Sequence, residues 1–157
     1  MNTIIQFVIA MLGTLSFAVL FSAPQKEYVW CSVTGGLGWV VYLLIIQMHG
    51  SIALATLCAA FILTILSRAL SFARKKPLTI FLIPGIFPLV PGADIYYTAY
   101  YFISNQKNLF FNKAVETTLI AGAIALGIFF GSLLPQIWFR KVFSRKESQY
   151  TEQKLHK

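Results

Sequence analysis

The chain has 157 residues and a net charge of +8, yet only 11% of its residues are charged and 57% are hydrophobic, with a mean hydropathy of +0.71. A soluble domain carries about 25% charged residues, so this composition specifies a polytopic membrane protein with no length to spare for a soluble domain. The basic residues sit at the ends of apolar runs, where they orient spans, which argues against a nucleic-acid partner.

Residues 3–22 are uncharged and long enough to cross a bilayer at roughly 20 residues per span. They lack the basic leading region of a signal peptide, and their apolar core is too long for one. A short polar turn at 24–27 leads to a second span at 28–47, and 48–50 makes a tight connection. The third span covers 51–72, with Arg68 near its end able to snorkel outward, and Arg74, Lys75, Lys76 and Pro77 close it. Residues 78–104 form a broken span, 105–113 a polar loop and 117–139 a fifth span. The expectation is therefore an all-α integral membrane protein of about five transmembrane helices, the fourth interrupted. It forms one membrane domain over 1–139, followed by a basic cytoplasmic tail at 140–157 that rests on anionic lipid headgroups.

Cys31 and Cys58 fall inside spans and read as small core residues. His49 and His156 are too far apart for a metal site, so no metal and no cofactor are expected.

Residues 81–93 read FLIPGIFPLVPGA. Pro84, Pro88 and Pro91 each remove a backbone donor and clash with the preceding turn, which breaks the helix. In lipid, broken backbone persists only where it is buried in protein or lines a watery cavity, and transporter sites use such discontinuous helices. The thirteen residues 78–90 span ~20 Å as helix and the eleven residues 94–104 ~16 Å, close to a bilayer core of ~30 Å. The break then lies within the membrane, past its middle toward the outside. A single crossing divides the lysines and arginines eleven to two, whereas a re-entrant segment divides them seven to six. The positive-inside rule therefore favours one crossing, with the amino terminus outside and the tail in the cytoplasm.

Asp94, just after the break, is the only acidic residue within an apolar stretch. At helical spacing it shares a face with Tyr97, Thr98, Tyr101 and Asn105, a stripe suited to a substrate or proton pathway. Free N–H groups at the half-helix start attract an anion, and carbonyls freed by Pro84 and Pro88 attract a cation, which together suit a zwitterion or small acid. The alternative is that Asp94 merely caps its own helix, Asp being a favoured N-cap, with Tyr100 and Tyr101 partly in an interfacial belt. A carboxylate inside the membrane costs roughly 2.5–3.5 kcal/mol, which favours the functional reading. Glu116 reads as a solvated residue at a helix start.

Ala123, Gly127 and Gly131 make a small-residue ridge on the fifth span, and Ser51, Ala55 and Ala59 a similar one on the third. Such ridges let helices approach closely, within one chain or between subunits, a second copy included. The cluster Gly35, Gly36, Gly38 is either a thinned stretch of the second span or a close-packing site.

The FLIPGIFPLVPGA stretch resembles the signature of the threonine/serine exporter family, in its carboxy-terminal half. Pro24, Trp30, Gly35, Gly38-Trp39 and the basic loop before the motif extend the resemblance over residues 17–134. In bacteria that half is often a separate small membrane protein beside a larger companion subunit, and the amino-terminal half of the fused exporters is missing here. The resemblance implies proton-driven export across the inner membrane of small amino acids, threonine or serine, or of a dicarboxylate such as succinate. It carries Pro84, Gly85, Pro88, Pro91, Gly92 and Asp94 over as motif residues. The competing reading is a membrane scaffold or assembly subunit with no path of its own. An enzyme is not expected, because no Ser/His pair, second intramembrane acid or metal set supplies a nucleophile with its base.

Overall fold

The computed structural model describes residues 3–133 and contains no strand among them. Six helices follow in order: α1 (Thr3–Leu20), α2 (Tyr28–Gln47), α3 (Ile52–Arg74), α4 (Thr79–Ile86), α5 (Gly92–Ile103) and α6 (Lys107–Leu133). Four are long and apolar enough to cross a membrane if α2 is taken with the 3-10 turn Gln25–Glu27 before it, and a fifth crossing is available if α4 and α5 are counted as one span bent by 55°. This is an all-α membrane protein. The expected tail, and the last residues of the expected fifth span, lie outside the described residues.

Local chemistry sets the helix ends. The chain leaves α1 through Ser22 in the left-handed region (φ 54°), with the Ala23 N–H on the Ala18 carbonyl, and Pro24 then prevents any continuation. His49 (φ 62°) turns the chain between α2 and α3, and the Ser51 hydroxyl accepts the Leu54 N–H to cap α3. Ser51 therefore belongs to a cap and not to a packing ridge. Lys75 (φ 53°) ends α3, where the Ser71 hydroxyl donates to the Lys76 carbonyl at 2.6 Å.

Small residues bring the helices together. The position of a Cβ on Gly35 is already filled by the Thr14 side chain of α1, and one on Gly38 would stand 2.8 Å from Leu63 of α3. Gly85 of α4 comes so near the Gly35 backbone that a Cβ would lie 3.7 Å from its nitrogen. One turn of α2 thus receives α1, α3 and α4, which makes Gly35–Gly38 a close-packing site. Two apolar clusters result. Ala18, Ala23, Cys31 and Phe81 form one; Ala59, Ala60, Leu63 and Leu89 form the other, with Trp39, Tyr42 and Ile124 against it. Close contact replaces the hydrophobic drive that lipid does not supply.

The α3–α6 seam runs parallel. A Cβ on Gly127 would lie 2.6 Å from the Leu57 carbonyl and 2.7 Å from Ala60, and one on Gly131 2.7 Å from Thr64. Ala123 is buried on the same ridge. Arg68 does not merely snorkel: its Nη1 donates to the Ser132 carbonyl at 2.6 Å, tying the two helices together. Ala60 with Gly127 and Thr64 with Gly131 share an offset of 67, so Leu119 stands level with Ile52. Residues 107–118 therefore have no α3 residue alongside, and α5 takes that place.

Candidate functional site

The break is built in three steps. Pro84 sits inside α4 and cannot donate to the Ile80 carbonyl four residues earlier. The Cys31 thiol of α2 donates to that carbonyl instead, at 3.2 Å. One of the carbonyls expected to attract a cation is therefore already satisfied from within the protein. A 3-10 turn over Phe87–Leu89 follows, stacked on the aromatic side by Phe17 of α1 with ring centroids 4.1 Å apart. Val90 is then extended, and an inverse γ-turn at Pro91 (φ −77°, ψ 61°), closed by the Gly92 N–H on the Val90 carbonyl at 2.8 Å, redirects the chain into α5. Gly92 has open space around it and no positive φ, so neither sterics nor backbone strain demands glycine there.

Asp94 is the third residue of α5, and Pro91 occupies the N-cap with no side-chain cap bond. The carboxylate turns to α6, where its Oδ1 accepts from Lys113 Nζ at 2.7 Å. Lys113 also donates to Glu116 Oε2 at 2.8 Å. One ammonium thus bridges two carboxylates on two helices. Asp94 and Lys113 are each about a quarter exposed, at 23% and 26% of their side chains. On α2, the Tyr42 ring stacks on Trp39 with centroids 5.0 Å apart.

One turn further along α5, the Thr98 and Thr117 hydroxyls meet at 3.2 Å, while each also donates to the carbonyl four residues earlier. These threonines line an open cavity of about 290 Å³ between α5 and α6, with Ile95, Phe102 and Phe110 among its apolar lining. Tyr97 and Tyr101 stack on one another at 6.1 Å, and Tyr96 and Tyr100 at 6.5 Å, beside this cleft. Tyr97 is exposed and Tyr101 half-buried. Of the expected stripe, Asp94 and Thr98 engage α6, Tyr97 is exposed, and Tyr101 lines a second cavity of about 350 Å³ with Phe110 and Phe111 of α6. Asn105 lies past the end of α5, in the turn to α6 (φ 55°), and lines that cavity beside Tyr101.

Two parts of the arrangement go beyond the sequence reading. The polar loop expected at 105–113 is mostly helix, because α6 begins at Lys107, and Gln106 accepts the Phe110 N–H to start it. Neither proline nor glycine intervenes between Lys107 and Ala121, and that gap was the available signal. Lys113, Glu116 and Thr117 consequently sit at helical spacing facing Asp94 and Thr98. Glu116 is not simply solvated; it shares Lys113. The other part is a second ion pair at the opposite end of the bundle. Glu27, 3% exposed, accepts Nε and Nη2 of Arg74 at 2.9 and 3.1 Å, and Arg74 lies over the Trp30 ring at 5.7 Å. Among the described residues no group of histidine, cysteine, aspartate and glutamate could hold a metal ion.

No solved structure matches this chain. The sequence model of the family described as "Threonine/Serine exporter, ThrE" matches residues 6–134, from the first turn of α1 past the end of α6 and across the whole of the break. A match over four-fifths of the length, taking in every helix that builds the site, means that the chain belongs to the threonine/serine exporter family.

Proposed function

We propose that the chain is one subunit of a two-component secondary exporter in the bacterial inner membrane, coupled to protons and assembled with a larger companion subunit. Membership of the family gives an exporter-type transport role and a small-molecule substrate, in a multi-pass membrane protein. The finer reading is that the substrate is threonine or serine, or a small dicarboxylate such as succinate. It also places the amino terminus outside and the tail in the cytoplasm.

One observation supports this: the broken span delivers a carboxylate, Asp94, to Lys113 of α6, one turn from the paired Thr98 and Thr117 hydroxyls. Charge inside a span is costly and is kept for a purpose, such as moving protons or ions. The need for a companion is supported by α5, which has no fully buried residue and packs extensively only on α6. A path enclosed by this chain alone would lack walls.

The test is export from cells that express the chain with its companion, measured per folded molecule. Asp94→Asn removes the charge and keeps the volume, and it should lower export at least tenfold at unchanged protein level. Asp94→Asn exporting like the parent would remove Asp94 from the pathway and put the site elsewhere along the broken helix or on the companion. Export by the purified chain alone in liposomes would overturn the two-component reading.

A further inference from the structure

We infer that Lys113 is the positioning residue of Asp94. Its ammonium occupies the carboxylate in this conformation, and a cation or proton reaches Asp94 by displacing Lys113 onto Glu116, which unhooks α5 from α6.

Three independent features of the geometry lead here. First, α5 is attached weakly. It has no fully buried residue, it lies along α6 and not in the core, and it joins α4 through a 55° bend at an extended valine and an inverse γ-turn. Helix-to-helix hydrogen bonds do not continue through such a junction, so α5 can swing without unwinding α4. Second, its polar ties to α6 include the Asp94–Lys113 ion pair at 2.7 Å and the Thr98–Thr117 contact at 3.2 Å. The hydroxyls of that contact are each already engaged with their own helix, which leaves the ion pair as the stronger tie. Third, Glu116 stands three residues from Lys113 on the same helix, at 2.8 Å. When Asp94 is neutralised, the ammonium therefore keeps a carboxylate partner that belongs to α6 alone, and releasing α5 leaves no charge unpaired. The phenols of Tyr97 and Tyr101, on the same helix as Asp94, cannot replace Lys113 as a cation.

The inference goes beyond the proposed function, because it concerns how α5 is held, whatever the exported solute. It is tested on the purified full-length chain by hydrogen–deuterium exchange resolved by peptide, with no transport assay. Lys113→Met and Asp94→Asn should each speed exchange over residues 92–104 at least tenfold while α1–α3 remain as in the parent. Lys113→Arg should restore slow exchange, since a guanidinium reaches the same two carboxylates. Glu116→Gln should leave α5 slow, because Lys113 still holds Asp94. Unchanged α5 exchange in Lys113→Met and Asp94→Asn would overturn the inference, as would acceleration spread equally over α1–α3. Acceleration in Glu116→Gln equal to that in Lys113→Met would overturn the fallback role of Glu116. Loss of export in Asp94→Asn with α5 exchange unchanged would strike this inference and leave the proposed function standing.

Discussion

Two buried pairings show how single residues replace what the backbone lost or what lipid cannot supply. Cys31 donates to the carbonyl that Pro84 orphaned, and Glu27 binds Arg74 through both carboxylate oxygens. The second pairing has unequal partners, since the Glu27 side chain is 4% exposed and that of Arg74 36%. Removing Arg74 strands a buried carboxylate, whereas removing Glu27 leaves a guanidinium that reaches water. Arg74→Met should therefore destabilise the chain more than Glu27→Gln, and both more than a change at the exposed Lys26. Detergent-resistance midpoints of the purified variants check this; the reverse order would mean that Glu27 finds another partner. None of this was legible from composition. Glu27 looked like one residue of a polar turn, because its partner is 47 positions away and nothing local in the sequence joins them.

At the scale of elements, glycine spacing told more than hydropathy. The ridge Ala123, Gly127, Gly131 was readable from its period of four, and the structure sets it against Leu57, Ala60, Phe61 and Thr64 of α3. The opposing face was less readable, since Ser51 was needed as a cap and Phe61 contributes backbone, not a small side chain. The start of α6 was misplaced by ten residues because polar residues at 105–113 outweighed the absence of any helix breaker. That misplacement hid Lys113. Two glycines of α6 now separate seam from surface. Gly127 abuts α3 backbone, whereas Gly122 has nothing within 4 Å of a Cβ. Gly127→Leu should cost about 1–3 kcal/mol through overpacking. Gly122→Ala should be neutral or stabilising by up to about 1 kcal/mol through helix propensity. Reversible denaturation in mixed micelles measures both, and equal effects would contradict a glycine-defined seam.

For the whole molecule, the four continuous spans and the site of the break were accessible from the sequence because apolar length and proline act locally. The bend angle was not, because it depends on how Phe87 seats against Phe17 and on α5 leaving the bundle for α6. The proposed orientation rests on a different rule, the eleven-to-two division of basic residues that a single crossing by α4 and α5 gives. A reporter active only in the periplasm, fused after Lys157, should be silent, and one fused ahead of residue 3 active. Activity at the carboxy terminus would instead require α4 and α5 to enter and leave on the same side.

Helix α6 keeps two sets of company, α3 along its later half and α5 along its earlier one. Mechanically that makes it a beam clamped at one end. Lys113 lies fourteen residues ahead of Gly127, about 21 Å along the axis. A rocking of about 5° about the glycine clamp would carry the lysine sideways by about 2 Å over that arm, enough to part an ammonium from a carboxylate it touches at 2.7 Å. Whatever presses on the far end of α3 and α6 is thereby geared to the charge at the break without touching it.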